Sequence, residues 1–246
     1  MFKNNNILIT GVGKGIGKEL LIKCIKNNYF VYGICRSRAD YKDLLQYKNN
    51  SSIFFGDVTN EKFLKRIFSH FKKKKIFFKG LVNNAGERQR IEFDNLNKKK
   101  LLHIFNTNFF SIVDITQKFI KHNKINNYNL SVVNIGSIVG HRGFSHLSGY
   151  ASTKSALEGL TKSLSIEFAE KKIRFNTVNP GFTKTSFYKK FKLKRRKLYN
   201  WTISRIPMKR WANTEEVTEL ICFLLSDNSS YITGQSINID GGWTAQ

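Results

Sequence analysis

The stretch NILITGVGKGIGKELL, residues 6–21, decides the fold because it joins an apolar run to a glycine-rich turn and then to a helical pattern. Asn6–Thr10 predicts a buried strand, and a helix is predicted to follow Gly17. The glycines of the turn permit tight turning and let a diphosphate approach the N-terminus of that helix. This arrangement predicts a nucleotide-binding unit, and a simple structural turn is the alternative.

The same alternation of short apolar runs and helical segments continues along the chain. It predicts a single doubly wound α/β (Rossmann) domain over residues 1–246, with a seven-stranded parallel sheet flanked by helices. The predicted strands are Asn6–Thr10, Phe30–Ile34, Ser52–Phe55, Gly80–Val82, Ser131–Ile135, Arg174–Val178 and Ser236–Ile239. The predicted helices are Gly17–Lys26, Glu61–Phe71, Leu101–Ile120, Ser152–Ala169 and Glu215–Leu225.

One segment, Leu193–Lys209, interrupts this alternation and is interpreted as an insertion. It is highly basic, contains Tyr199 and Trp201, and follows the end of a predicted strand. Loops at the strand ends of such sheets build binding sites. The segment is therefore a candidate part of a functional site.

Composition excludes several classes of protein. A chain of 246 residues that is 41% hydrophobic can build a sizeable core, so disorder is not expected. There is no apolar run long enough for a membrane helix and no apolar region typical of a secretory signal near the start, so we expect a cytoplasmic protein without membrane partners. The three cysteines lack CxxC spacing, which indicates neither a disulfide framework nor a metal site.

The formal net charge of +25 has two readings. It is typical of a protein with a polyanionic partner such as nucleic acid. However, Lys, Asn, Ile and Phe are abundant while Pro and Ala are scarce, which is the joint bias expected of an AT-rich genome. We favour compositional bias for the charge as a whole, and an anionic ligand remains the alternative.

A tyrosine and a lysine stand four positions apart in GYASTKSALEGL, residues 149–160. On a helix, Tyr150 and Lys154 would share one face within side-chain reach. A nearby positive charge favours the phenolate and lowers the pKa of a tyrosine, which suits it to acid–base chemistry. The alternative is a chance pair on an exposed helix.

Several motifs, taken in order along the whole chain, resemble the short-chain dehydrogenase/reductase family. Within that family the chain is most similar to 3-oxoacyl-acyl-carrier-protein reductases. The motifs are Gly11-xxx-Gly15-x-Gly17, Asn83-Asn84-Ala85-Gly86, Ser137 thirteen positions before Tyr150, Lys154, Asn179-Pro180-Gly181 and Ile232-Thr233-Gly234-Gln235 followed by Asp240-Gly241-Gly242.

The resemblance implies a catalytic tetrad. Tyr150 would be the general acid in carbonyl reduction, and Lys154 would hold the nicotinamide ribose and lower the pKa of Tyr150. Ser137 would hydrogen-bond the carbonyl oxygen. Asn108 aligns with the asparagine that supports a water relay to the lysine, while Asn106 is a nearby decoy.

The resemblance also implies a dinucleotide cofactor, and the end of the second predicted strand favours NADP (NADPH) over NAD. Cys35 stands where NAD-dependent members carry an aspartate, while Arg36 and Lys14 offer cations for a 2′-phosphate, with Arg38 as a further candidate. The alternative is that these cations belong to the general basic excess. The expected cofactor-binding residues are Thr10, Gly11, Lys14, Gly15, Ile16, Gly17, Arg36, Ser37, Asp57, Val58, Asn84, Ala85, Gly86, Tyr150, Lys154, Pro180, Gly181, Thr183 and Thr185.

The substrate is less legible than the cofactor. Residues 183–209 correspond to the mobile substrate lid of the family, and here the lid is basic. The resemblance implies reduction of a ketone to a secondary alcohol, with a small-molecule or carrier-linked substrate such as a 3-oxoacyl carrier protein. A polar sugar or sugar acid is the alternative, favoured by Glu87–Arg90. Arg88, Arg90, His141 and Arg142 either surround the substrate or face solvent.

Two further expectations concern partners. The resemblance implies a homotetramer assembled through Leu101–Ile120, Ser152–Ala169 and the last strand. A non-catalytic protein that binds nucleic acid through its charge is the alternative of a different class. It predicts steeply salt-dependent binding of DNA or RNA and no oxidation of NADPH.

Overall fold

A seven-stranded parallel sheet organises the chain in the computed structural model, which describes residues 5–38, 44–124, 129–186 and 188–246, without the side chains of Lys189 and Lys190. The strand order is β3-β2-β1-β4-β5-β6-β7. The strands are β1 Asn6–Thr10, β2 Phe30–Cys35, β3 Ser51–Phe55, β4 Gly80–Asn83, β5 Leu130–Ile135, β6 Ile173–Pro180 and β7 Ser236–Ile239. The predicted fold is therefore confirmed, and no strand end differs from its prediction by more than two residues.

Helices cover both faces of the sheet. They are α1 Gly15–Lys26, α2 Glu61–Lys73, α3 Lys98–Phe105, α4 Ser111–Asn123, α5 Ser148–Glu167, α6 Tyr188–Lys194, α7 Arg196–Arg205 and α8 Thr214–Leu225. Side chains alternate between the two faces of a strand, so Ile7 and Ile9 of β1 join the core beneath α1 and α8, while Leu8 joins a second core beneath α2 and α4. The sheet is thus buried on both sides, as its nearly continuous apolar strands require.

Two regions differ from the sequence-based prediction. The predicted helix Leu101–Ile120 is interrupted by a π-helical turn at Asn106–Phe110, so that α3 and α4 are separate. The basic segment after β6 forms the helices α6 and α7. Helical periodicity alone reveals neither feature, because a π turn keeps the helical pattern and the basic segment lacks a clear apolar stripe.

The topology places a crevice at the middle of the sheet. The strand order reverses between β1 and β4, and sheets of this type bind ligands at the carboxyl ends of the strands beside such a switch point. Among the described residues, no helix is both long and apolar enough to span a bilayer. The same part of the chain contains no cluster of His, Cys, Asp and Glu that would hold a metal ion.

Candidate active site

A large cavity opens at the carboxyl ends of the strands and extends from the glycine-rich turn to α7. Its volume is about 1220 Å³. Small-molecule sites commonly measure ~300–1,000 Å³, so this cavity has room for a dinucleotide and a second, smaller molecule. Of the predicted site residues, the following line it: Gly11, Lys14, Ile16, Arg36, Asp57, Val58, Asn84, Ala85, Gly86, Ser137, Tyr150, Lys154, Pro180, Gly181, Thr183 and Thr185.

The glycine-rich turn is shaped by close backbone contacts. Gly11 has a φ of +75°, and a Cβ there would lie 2.9 Å from the Cα of Ala85. A Cβ on Gly17 would lie 2.1 Å from the carbonyl oxygen of Gly11. Gly15 also has a positive φ, of +57°. The glycines are therefore required by the turn itself, and they leave its backbone open toward the cavity.

Thr10 and Asn84 fasten this turn to the end of β4. The Thr10 hydroxyl accepts hydrogen bonds from the backbone N–H groups of Asn84, at 3.0 Å, and Ala85, at 2.9 Å. The Asn84 side chain donates to the carbonyl oxygens of Thr10 and Gly11, both at 3.0 Å. Thr10, predicted to bind the cofactor, is buried and positions the two segments that line the cavity.

The end of β2 fits a 2′-phosphate. Arg36 and Lys14 line the cavity there, and Cys35, in place of a carboxylate, donates its thiol hydrogen to the carbonyl oxygen of Ser37 at 3.1 Å. Without a carboxylate to repel the phosphate, these residues suit NADP better than NAD. Arg38 instead lies over the ring of Phe55, 5.2 Å from its centroid.

Tyr150 lies near the start of α5, with its side chain partly exposed to the cavity. Burial raises the pKa of Tyr150, while the hydrogen bond with Ser137 and the charge of Arg88 act in the opposite direction. The expected lowering of the Tyr150 pKa by Lys154 is not seen. The two groups that lower the pKa of Tyr150 are Ser137 and Arg88, which lie on different loops.

Lys154 is buried one helical turn beyond Tyr150. Its Nζ donates a hydrogen bond of 2.6 Å to the carbonyl oxygen of Ile135, and it lies 5.7 Å from the centroid of the Tyr150 ring. Burial lowers the pKa of Lys154 to about 8. Its ammonium therefore loses its proton far more readily than that of a surface lysine.

Asn108 lies inside the π-helical turn, fully buried, whereas the decoy Asn106 is exposed. Its side chain accepts from the backbone N–H of Glu87 and donates to the Glu87 carbonyl oxygen, both at 2.9 Å. A Cβ on Gly86 would lie 3.2 Å from the Asn108 Oδ1 and 3.9 Å from the Lys154 Nζ. Asn108 and Lys154 therefore both lie close to Gly86.

The sequence did not reveal what positions Ser137. The Asn179 side-chain oxygen accepts from the Ser137 N–H at 3.1 Å. The Asn179 Nδ2 lies 2.8 Å from the Nε2 of His141, which is also 3.1 Å from a carboxylate oxygen of Glu158. His141 therefore contacts Asn179, the residue that accepts the Ser137 N–H. The Asn179-Pro180-Gly181 motif was the available signal, but it does not identify this contact.

Aromatic side chains close the substrate end of the cavity. Phe191 of α6 packs against Trp211 at 5.2 Å between ring centroids, and Phe144 stacks on Trp243 at 5.9 Å. Trp201 of α7 meets Trp243 edge-on at 5.6 Å. Of these residues, the sequence singled out only Trp201 in the basic segment. The others are isolated aromatics without a periodic pattern.

Comparisons with known proteins agree with this geometry. A profile of the family described as enoyl-(acyl carrier protein) reductase matches residues 11–244. The 3-oxoacyl-[acyl-carrier-protein] reductase FabG of Buchnera aphidicola subsp. Schizaphis graminum is 33% identical over 240 residues, which cover 96% of this chain and 95% of that protein. L-xylulose reductase of Caenorhabditis elegans is 31% identical, over 99% of this chain and 97% of that protein.

The fold comparison gives the same result. The solved structure of ElxO with NADP bound has a TM-score of 0.92 and 33% sequence identity, and it covers 99% of this chain and 100% of that one. Matches of this length and identity confirm the family predicted from the motifs. The chain belongs to the short-chain dehydrogenase/reductase family of NAD(P)-dependent oxidoreductases.

Proposed function

We propose that this chain reduces a ketone to a secondary alcohol with NADPH. The observation that carries the proposal is the convergence of Ser137, Tyr150 and Lys154 on one end of the large cavity. When bound, NADPH would supply the hydride for the carbonyl carbon. Tyr150 gives its phenolic proton to the carbonyl oxygen, and Ser137 hydrogen-bonds that oxygen and orients it.

Lys154 and Asn108 support this proton donor. Lys154 would hold the nicotinamide ribose, and its hydrogen bond to the carbonyl oxygen of Ile135 keeps its Nζ near Tyr150. Asn108 fixes the Glu87 backbone through two hydrogen bonds and thereby the loop that follows Gly86. In the reverse direction Tyr150 is the base.

The preference for NADPH has its own test in Arg36. Arg36→Ala removes a cavity-lining guanidinium, so we expect the KM for NADPH to rise by about 10-fold while that for NADH stays constant, as for a lost charge-assisted phosphate contact. Arg66→Ala, on α2 outside the cavity, is the matched control. Wild-type turnover with NADH equal to that with NADPH would contradict this preference.

The first candidate substrate is a 3-oxoacyl group on an acyl carrier protein. Its support is the identity of 32–33% to proteins named 3-oxoacyl-[acyl-carrier-protein] reductase FabG, together with the basic residues of α6 and α7. A polar sugar or sugar acid is the second candidate, because Arg88 and Arg90 line the cavity. The relative named L-xylulose reductase supports the same alternative.

A substrate panel tests both candidates. NADPH oxidation is measured with acetoacetyl carrier protein and with sugar ketones. Binding of duplex DNA is measured in separate samples at several salt concentrations. Reduction of the carrier-linked ketone supports the first candidate, and reduction of the sugars alone supports the second. If no ketone is reduced and DNA binds with a steep salt dependence, the reductase proposal is wrong.

We also propose that the enzyme is a homotetramer in the cytoplasm. Leu102 of α3, Phe110 of the π-helical turn and Ile166 of α5 expose apolar side chains, with Ile166 82% exposed. These helices are the ones expected to mediate assembly. Sedimentation analysis tests the proposal, and a monomer at micromolar concentration would contradict it.

A further inference from the structure

The wall of the cavity carries a strong excess of positive charge. Eight lining residues are Lys or Arg, whereas only Asp57 and Glu87 are acidic. The Glu87 carboxylate lies 2.8 Å from the Nε2 of His103. Asp57 accepts hydrogen bonds from Thr59 within its own turn. Among the described residues, neither carboxylate lies within ion-pair distance of an arginine.

The proposed cofactor accounts for part of this excess only. Lys14, Arg36 and Lys154 are assigned to it, and the Arg142 guanidinium donates to the carbonyl oxygens of Thr244 and Gln246. Arg88, Arg90, Arg195 and Arg205 remain. Among the described residues, none of these four has a carboxylate within ion-pair distance.

Arg88 is the member of this group that lies beside the reacting centre. It follows Gly86, which lies close to both Asn108 and Lys154, by two residues. Its charge is near enough to Tyr150 to lower the pKa of the phenol. Arg195 directly precedes α7 and also lines the cavity. The like charges of Arg90 and Arg195 both lower the pKa of Arg88.

Two like charges without a carboxylate partner repel each other, so an anion between them relieves this repulsion. A guanidinium binds a carboxylate with two parallel hydrogen bonds, and the pairing is strengthened where surrounding atoms exclude water. Arg88 is exposed to the open cavity, so a carboxylate that enters the cavity can reach its guanidinium. A guanidinium that lines the cavity without a carboxylate partner therefore suits an anion.

On the basis of the proposed function, we propose that the ketone substrate carries a carboxylate close to the reacting carbonyl, and that Arg88 and Arg195 bind this carboxylate. The substrate class is thus a 2-oxo or 3-oxo acid. Arg88 holds the carboxylate on the loop after β4, so that the neighbouring carbonyl oxygen faces Ser137 and Tyr150. Of the two candidates under the proposed function, this inference favours the sugar acid, because a neutral sugar ketone or a carrier-linked thioester lacks the carboxylate that this pair of arginines recognises.

The test compares acids with their esters. Wild-type kcat/KM is measured with NADPH for 2-oxobutanoate and 3-oxobutanoate and for the methyl ester of each. We expect at least one acid to exceed its ester by about 10- to 100-fold, the range for hydrogen bonds to a charged group. Arg88→Gln should lower this acid-to-ester ratio by a similar factor, and Arg195→Gln by less.

The ratio is the informative quantity because Arg88 also acts on Tyr150. Arg88→Gln removes a charge that lowers the pKa of Tyr150, so reduction of the ester should slow as well. The ratio cancels this shared effect and isolates carboxylate binding. Lys62→Gln, an exposed residue of α2 outside the cavity, removes an equal charge and should leave the ratio unchanged.

A binding measurement keeps this inference separate from the proposed function. Butanoate and butanamide are titrated into the NADPH complex by calorimetry. Tighter binding of butanoate than of butanamide, lost in Arg88→Gln, supports the anion site even if no ketone is reduced. The absence of ketone reduction would overturn the reductase proposal alone. Equal binding of the two probes, or an ester reduced as well as its acid, overturns the carboxylate site.

Discussion

The floor and the lid of the cavity are built by different interactions. The floor, formed by the glycine-rich turn and the ends of β1, β4, β5 and β6, is held by hydrogen bonds that fix the backbone, as between Thr10 and Asn84. The lid, formed by α6 and α7, packs through aromatic rings around Trp211 and leaves Leu193 82% exposed. The floor is therefore rigid in shape, whereas the lid offers a surface of side chains.

This difference separates two tasks. Backbone-directed hydrogen bonds allow little variation, so the floor suits a constant ligand such as the proposed dinucleotide. The shape and charge of a surface made of packed rings and unpaired arginines change whenever one of these residues is substituted. The lid and the adjoining loop at Arg88 therefore suit the selection of a ketone. Variants of the floor should act on chemistry, cofactor binding and stability, and variants of the lid on the KM for the ketone.

Tyr150→Phe should have the largest effect of any single change. It removes the proton donor but keeps the ring, so kcat should fall by about 10²- to 10⁴-fold, the usual contribution of a general acid. The dissociation constant for NADPH should stay nearly constant, because Lys154 and the glycine-rich turn are untouched. Steady-state kinetics and fluorescence titration measure the two quantities.

Tyr47→Phe provides the matched control for this change. Tyr47 loses the same hydroxyl outside the cavity, in a side chain that packs against the core beneath α1 and α8. Both kcat and NADPH affinity should match those of the wild type. If Tyr150→Phe retains turnover, Tyr150 is not the proton donor. The division of tasks between floor and lid would then fail.

The same division explains how much the sequence could predict. The floor was legible because close backbone approach demands glycine at given spacings and because parallel strands demand apolar runs, so all seven strands were found. The contact of Asn179 with Ser137 joins residues 42 positions apart and has no local pattern. The π-helical turn around Asn108 and the packing of α6 and α7 are set by tertiary contacts, which helical periodicity does not encode.

Gly17→Ala should destabilise the floor. The added Cβ would lie 2.1 Å from the Gly11 carbonyl oxygen and 2.4 Å from the Asn84 side chain, so the turn must shift. We expect the free energy of unfolding to fall by about 3 kcal/mol, the upper part of the usual range for overpacking, and NADPH affinity to fall with it. Chemical denaturation and titration test this.

Gly159→Ala makes the same chemical change on α5 with the opposite expected sign. A Cβ on Gly159 meets no atom within 4 Å, so alanine should stabilise the helix by about 0.5–1 kcal/mol. If Gly17→Ala is as stable as Gly159→Ala, the floor is not held by close backbone contact, and its contrast with the lid fails.

Lys154→Met should change how stability depends on pH. Burial lowers the pKa of Lys154 to about 8, so the folded state penalises the ammonium below that pH by ~3 kcal/mol relative to an unperturbed lysine. The lost hydrogen bond from the ammonium to the Ile135 carbonyl oxygen offsets ~2 kcal/mol of the gain. Lys154→Met should therefore be more stable than the wild type by ~1 kcal/mol at neutral pH.

The direction of the Lys154 pKa shift sets the pH range over which the stability difference changes. The folded pKa lies below the unfolded one, so the penalty is fully present below pH 8 and disappears as the pH rises to the ordinary lysine pKa of 10.5. Across that pH range, denaturation curves should show the free energy of unfolding of the wild type rising relative to that of Lys154→Met. A constant difference between the two proteins would show that the buried ammonium carries no such penalty.

Trp201→Ala should have the smallest effect and should act on the lid alone. Trp201 is 46% exposed, lines the cavity and meets Trp243 edge-on, so its loss removes one aromatic contact from the substrate end. We expect the KM for the ketone to rise by about 2- to 5-fold, consistent with a single aromatic pair, while NADPH affinity stays constant. Phe93→Ala, an exposed ring outside the cavity, should change neither quantity. NADPH affinity in Trp201→Ala could instead fall by as large a factor as the KM for the ketone rises. Floor and lid would then respond as one unit, because a contact confined to the substrate end can affect the cofactor only through the shape of the floor.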